Sequence, residues 1–416
     1  MSADVRPGLS RSRTNLALTA LFFGSFVMGS AELIVVGILN LIAEDMNVSI
    51  GTAGSLVTAY ALGISIGGPV LTAVTIKFAR KQLLQIALAA YIVMNILAVV
   101  ATVFGMLLVA RVLSGSLHGL FIGTAFAVGA GMMPPEKMGK AISFVFGGTA
   151  VSTALGVPIG TVIGQTWGWQ ASFIAIIITG ALTLVLALTV IPPVPNSGLG
   201  GFGDQAKHAF SPKVLAVLGL GFLILGGQFA GLTFIQPFLA DTTGISGSTI
   251  AVFLLVYGIA NAVGTFAGGA AADKNASATI VIGGVILVIA IAGLVFLGSN
   301  PVVAAIALFV WGIVGFGIVP SIQYRVVSLA GPGRDLAATL PASAVTLGIA
   351  IGSFIGGLAV GDGQNGTSGP LTISLVVCVV GVVIAWATSF LKATPEAAPQ
   401  ADSAVAPAVV EEKSAN

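Results

Sequence analysis

Three ionisable side chains stand deep inside long apolar runs of this chain: Glu32, Arg111 and His118. Glu32 lies some nine residues before the end of its run, about 14 Å at the helical rise, close to the middle of a hydrocarbon layer about 30 Å thick. A charged side chain at that depth costs about 2.5 to 3.5 kcal/mol on insertion scales, so it faces a cavity or a partner and has a role. A carboxyl that alternates between protonated and ionised forms is what proton coupling requires. The competing reading is a carboxyl kept protonated and hydrogen-bonded for packing.

Arg111 and His118 are seven residues apart, so on a helix they share one face, with Ser114 and Gly115 between them. Glu32 falls between them in depth. With the first and fourth runs side by side, Arg111 would stabilise ionised Glu32, and an arriving substrate would loosen that pair. Alternatively, Arg111 holds its own half of the molecule together through a buried pair or bonds to carbonyls. His118 reads first as a neutral packing or hydrogen-bonding group and second as a proton relay. Farther along, the polar groups inside the runs are uncharged: Gln228, Gln236, Asn261 and Gln323. Hydrogen bonds rather than ion pairs would orient a substrate there, with Phe229, Phe234 and Trp311 adding apolar surface if they face a cavity.

The elements that position these groups are twelve apolar segments, expected at 16–41, 52–76, 83–104, 105–131, 141–164, 171–192, 212–240, 249–272, 277–298, 302–329, 336–360 and 370–391. Of the 16 Lys and Arg, only Arg111 avoids the alternate breaks between them. Arg6, Arg11 and Arg13 precede the first segment. Lys77, Arg80 and Lys81 follow the second, and the bias continues to Lys392 and Lys413 after the last. The other breaks carry Glu44, Asp45, Asp241 and Asp362. Since cytoplasmic loops collect Lys and Arg, both termini are expected in the cytoplasm. Composition agrees, with 56% hydrophobic residues, 7% charged residues and a mean hydropathy of +1.09, which exclude a water-soluble protein. Helices are expected because every backbone amide in hydrocarbon must find its partner within the segment. The first segment is too long for a secretory signal and lacks a small-residue cleavage site.

The stretch 193–211, with Pro193, Pro195 and a glycine cluster, divides the chain, and the two sides match. Tyr60, Lys77, Gly67 and Gly115 recur 197 residues later as Tyr257, Lys274, Gly264 and Gly312. Gly156, Gly160 and Gly164 recur 192 later as Gly348, Gly352 and Gly356. The expected organisation is a cytoplasmic tail over 1–14, a six-helix bundle over 15–192, a cytoplasmic linker over 193–211, a second bundle over 212–391 and a disordered cytoplasmic tail over 392–416. Repeats of this kind belong to secondary transporters that bind substrate at the midplane between the halves. Most of the four-residue glycine ladders are expected to let helices approach closely. The one around Pro158 reads as part of a moving interface.

Several stretches resemble the major facilitator superfamily, and within it the twelve-span drug/proton antiporters related to arabinose, purine and chloramphenicol efflux permeases. They are Gly-Ser-Ala-Glu32-Leu-Ile-Val-Val-Gly, Thr-Ala-Gly-Ser-Leu-Val-Thr-Ala-Tyr60, Ala-Arg111-Val-Leu-Ser-Gly115-Ser-Leu-His118-Gly119, Ala-Leu-Gly156-Val-Pro158-Ile-Gly160 and Trp167-Gly-Trp169-Gln-Ala-Ser-Phe173. The resemblance covers roughly residues 15–392. It implies an all-α membrane protein of twelve transmembrane helices in two pseudo-symmetric six-helix bundles, with spans one, four, seven and ten around a central cavity. It also links the Gly-Pro motif of span five, Gly156, Pro158, Gly160 and Gly164, with export. The family's loop between spans two and three carries an Asp followed by basic residues. Here that Asp position is Ile76, followed by Lys77, Arg80 and Lys81, while the second-half counterpart keeps Asp273 and Lys274. Closure of the cytoplasmic side would then rest more on the second half, unless these bases only set topology.

No Walker-type Gly-x4-Gly-Lys-Ser/Thr occurs, and two His with a single Cys, Cys378, argue against a metal centre, an enzyme or a disulfide. No cofactor and no nucleic-acid partner are expected. The expected partners are protons, the lipid bilayer and a small-molecule substrate, and the chain is expected to act as a monomer in the cell inner (plasma) membrane. One inward proton supplies about 2.3 kcal/mol per 100 mV and a tenfold gradient costs about 1.4 kcal/mol, so one titrating Glu32 sustains roughly fifty-fold extrusion. The expected function is proton-coupled efflux of small amphipathic molecules or drugs. The alternatives are sugar or nucleobase efflux or uniport on the same fold and, from another class, a non-transporting membrane sensor, against which the lack of an appended soluble domain argues.

Overall fold

The computed structural model describes residues 11–75, 78–133, 138–193, 207–331, 337, 340–360, 366 and 368–391. Among the described residues, twelve helices are long and apolar enough to cross a membrane: α1 Ser12–Gly37, α2 Ile50–Val74, α3 Arg80–Val99, α4 Phe104–Gly129, α5 Phe144–Trp167, α6 Trp169–Val190, α7 Pro212–Asp241, α8 Thr249–Ala272, α9 Lys274–Leu297, α10 Pro301–Ala330, α11 Leu340–Leu358 and α12 Ser368–Ser389. They fall where the apolar runs place them, with ends shifted by a few residues. Lys77, the Ile76 position, the Asp273 side chain, most of the linker and the 392–416 tail lie outside what is described.

The joints follow local chemistry. Gly168 alone separates α5 from α6, at φ 88°, a conformation in which a Cβ is strained. Asn275, in extended backbone, breaks what would otherwise be one rod through α8 and α9. Asn300 caps α10 by accepting from the Val302 and Val303 amides, ahead of Pro301.

Five described spans are interrupted, and in α10 the break is at Ile318, between Pro301–Gly317 and Val319–Ala330. Pro69 in α2 and Pro158 in α5 each follow a π-helical turn, Gly63–Gly67 and Ser152–Gly156. A proline removes a helical donor and crowds the preceding turn, and a wider turn absorbs both effects. α1 ends at Ile38 (φ −126°, ψ 18°) and resumes as Leu39–Asp45. α7 breaks at Phe234 (φ −108°, ψ 16°) and resumes as Ile235–Asp241. These two breaks sit at matching points of the two halves.

α1 to α6 pack chiefly on one another, as do α7 to α12. The two sets meet mainly through α2 with α11 and α5 with α8, on the side of the Glu44, Asp45 and Asp241 breaks, called here the acidic side. There a Cβ on Gly51 would run into the Gly357 carbonyl, one on Gly54 into the Phe234 ring and one on Gly258 into the Thr153 carbonyl. Toward the opposite, basic side the halves part: Val70 and Val74 of α2 and Gln323 and Tyr324 of α10 are exposed.

Candidate functional site

The buried guanidinium of Arg111 organises the first half. Its Nη1 donates to the Ala31 carbonyl at 2.7 Å, Nη2 to the Glu32 carbonyl at 3.0 Å and Nε to the Leu56 carbonyl at 3.4 Å. Its central carbon lies 4.0 Å from the centre of the Tyr60 ring, a cation–π contact out of water. α4 therefore clasps α1 and α2 at once. The approach depends on glycine, since a Cβ on Gly115 would collide with the Tyr60 carbonyl and one on Gly63 with the Val112 carbonyl.

The Glu32 carboxyl points elsewhere. Its Oε2 lies 3.7 Å from His118 Nδ1, and the side chain is 17% exposed. The expected pairing of Arg111 with this carboxylate is therefore replaced by bonds from Arg111 to main-chain oxygens. Helix polarity explains the swap. Cβ atoms tilt toward a helix's N-terminal end and carbonyls toward its C-terminal end. α1 enters from the basic side, so the Glu32 side chain leans toward that side and His118, while its carbonyl faces the acidic side and Arg111.

Two residues absent from the sequence-level site complete this cluster. The Tyr60 hydroxyl lies 3.1 Å from His118 Nδ1, 2.9 Å from the Tyr91 hydroxyl and 3.3 Å from the Met28 carbonyl, to which it can donate. Tyr91, on α3, is fully buried. The recurrence of Tyr60 as Tyr257 was a visible signal; Tyr91 had none, because its neighbours come from other spans.

The uncharged groups of the second half largely satisfy one another. Trp311 Nε1 donates to Gln228 Oε1 at 2.9 Å, and Gln228 Nε2 donates to the Gly315 carbonyl at 3.1 Å. Phe229 meets Phe316 edge-on, and Phe234 is buried against Gly54 at the seam. Asn261 accepts from Thr265 on its own helix, and Gln323 is exposed toward the basic side. Thus Gln228 and Asn261, expected to orient a substrate, and Trp311, expected as apolar cavity surface, make their hydrogen bonds within the second half. Tyr257, edge-on to Trp311, lines a cavity of about 20 Å³ at the seam with Leu33, Val36, Thr153, Val157, Leu232 and Leu254. Its buried hydroxyl has no partner within reach among the described residues.

The gating candidates divide. Gly156, Gly160 and Gly164 pack on Ser30, Ile34 and Ile38 inside the first half, so this ladder itself does not face the second half. The opposite face of α5, with Thr153, Ala154 and Pro158, meets α8, and Pro158 lines a lateral cleft of about 420 Å³ with Leu155, Ile159, Val162, Ser248, Ala251, Val252 and Leu255. Arg80 donates to the Ala127 carbonyl at the end of α4, where a cation suits the helix dipole. Lys81 is partly exposed and Lys274 exposed.

The family model described as Major Facilitator Superfamily matches residues 21–340. The chain belongs to that superfamily. The MFS-type transporter YtbD of Bacillus subtilis is 35% identical over 84% of this chain and 90% of its own. A chloramphenicol resistance protein of Streptomyces lividans is 27% identical over 86% and 92%. The crystal structure of a bacterial homologue of the human lysosomal transporter Spinster, inward-facing and unoccupied, superposes with a TM-score of 0.80 at 15% identity, covering 92% and 98%, and so shares the fold. This member of the superfamily is a membrane transporter and not an enzyme. Its ionisable cluster lies in one half, while the facing half offers aromatic and amide groups.

Proposed function

We propose that the protein exports small amphipathic organic molecules in exchange for protons, by alternating access. The observation that carries this reading is Glu32, the one acidic residue placed in the interior of a span rather than at its end. It is partly exposed and sits beside a histidine that can share its proton. The basic side is taken as cytoplasmic, with both chain termini there and the protein, as a monomer, in the cell inner (plasma) membrane. In the present arrangement the halves are closed on the acidic side, ready to receive substrate from the cytoplasm. Protonation of Glu32 from outside accompanies substrate release, and deprotonation inside resets the cycle. The resistance relative supports a drug-like substrate.

The test uses proteoliposomes loaded with radiolabelled chloramphenicol and a panel of cationic dyes, with and without an imposed pH gradient. An exporter of this kind moves at least one probe uphill only when the gradient is present, and Glu32→Gln abolishes that coupling. Flux that ignores the gradient, or uphill transport by Glu32→Gln at the unmodified rate, would refute proton exchange. Absence of flux for every probe under any gradient would favour the sensor.

A further inference from the structure

We infer that the Tyr60 hydroxyl is a positioning switch that sets which nitrogen of His118 carries hydrogen according to the charge of Glu32, and thereby whether Tyr60 donates to α1 or α3 or gives that hydrogen to α4 instead. The inference rests on the exporter reading and adds Tyr60 to its proton machinery.

The argument is one of hydrogen counting. A phenol has one hydrogen to give and two lone pairs, and a neutral imidazole has one N–H. Three groups surround the Tyr60 oxygen: the Met28 carbonyl on α1, which only accepts, the Tyr91 hydroxyl on α3 and His118 Nδ1 on α4. The same Nδ1 faces Glu32 Oε2. With Glu32 ionised, a hydrogen on Nδ1 is attracted by both the carboxylate and the Tyr60 oxygen. Tyr60 then donates to Met28 or Tyr91. When a proton is taken up, Nδ1 passes its hydrogen to the carboxylate, Nε2 receives the incoming proton, and the Tyr60 O–H turns to donate to the bare Nδ1. One proton has entered, Glu32 is neutral and the imidazole is neutral as before.

The transfer requires the 3.7 Å separation to shorten, as proton-transfer pairs commonly do in the working complex. The surroundings isolate the exchange. In the interiors of the packed helices the charged or titratable groups are Glu32 on α1, Tyr60 on α2, Tyr91 on α3, and Arg111 and His118 on α4; Arg13 on α1 and Arg80 and Lys81 on α3 stand at the basic-side ends, and α6 carries none. Arg111 is held by three carbonyls and lies over the Tyr60 ring, which keeps the ring in place while its O–H rotates. Tyr60 and Tyr91 are sealed from solvent, so water does not replace the bonds they exchange.

The experiment is solid-state NMR of protein labelled with [15N]histidine in lipid bilayers over a pH range. The chain has two histidines, and His118→Asn assigns the signal. In the unmodified protein the His118 hydrogen should move from Nε2 to Nδ1 as Glu32 ionises. Glu32→Gln should hold it on Nε2 at every pH. Tyr60→Phe should abolish the response, while Tyr91→Phe, which leaves the Tyr60 hydroxyl, should keep it. An identical pH course in the unmodified protein and Tyr60→Phe overturns the proposal. So does a tautomer that still switches in Glu32→Gln, a test that holds even if Tyr60→Phe does not fold. Loss of gradient-driven flux in Glu32→Gln, together with a tautomer that stays fixed across pH in the unmodified protein, would remove this switch and leave the exporter reading standing.

Discussion

The Asn40 amide of one half donates to the Gln236 side-chain oxygen of the other at 3.1 Å, across the seam on the acidic side. The two residues stand 196 apart in sequence, just past the matching breaks in α1 and α7. Asn40 occupies the first turn of the short helix Leu39–Asp45, whose N-terminal amides lack helical acceptors and whose preceding residue, Ile38, offers no side-chain cap. Gln236 thus caps a helix of the opposite half. The cap exists only while the acidic side is closed.

Gln236→Ala should shift the molecule toward opening on that side. One hydrogen bond contributes about 1 kcal/mol net, so the open population should rise about fivefold. Spin labels at Ser49→Cys and Ser246→Cys, both exposed on the acidic side, report the change by pulsed electron resonance, and the native Cys378 is buried. An unchanged distance distribution would show that the cap does not bias closure.

Arg111→Met should lower stability by roughly 2 to 4 kcal/mol, because several charge-assisted bonds are lost together. Arg111→Lys should recover only part of this, since an ammonium lacks the planar fork that reaches carbonyls of two helices. Thermal unfolding in detergent, followed by circular dichroism, measures both. Equal stability of the Lys variant and the unmodified protein would contradict a clasp built on guanidinium geometry.

Gly115→Ala and Gly312→Ala are expected to destabilise by about 1 to 3 kcal/mol each, the usual range for overpacking. Their added methyls would meet the carbonyls of Tyr60 and Tyr257, at equivalent crossings in the two halves. Gly105→Ala, where nothing lies within 4 Å, serves as the control on α4. The same melting assay should leave the control unmoved.

Trp311→Phe removes the donor to Gln228 and leaves a buried amide oxygen unpaired, at a cost of about 1 to 3 kcal/mol. If these groups serve packing, the loss appears in the melting temperature and the transport KM is unchanged. A change in KM at unchanged stability would place Trp311 on the substrate instead.

The membrane class, the count of twelve spans and their places along the chain, though not their exact ends, were legible because hydrocarbon demands long helices, and charge cannot be hidden at span centres. That same cost singled out Glu32, Arg111 and His118 as candidates. Which of them touch was decided only by tertiary structure, because helix polarity sends the Glu32 carbonyl and carboxyl to opposite sides. Tyr91 joins the cluster only once α3 lies against α2, and Gln228 and Trp311 neutralise each other only once α7 lies against α10. The periodicity of an apolar run fixes that a helix forms. It carries too little contrast between faces to say which neighbour each face meets, since lipid and protein interior are equally apolar.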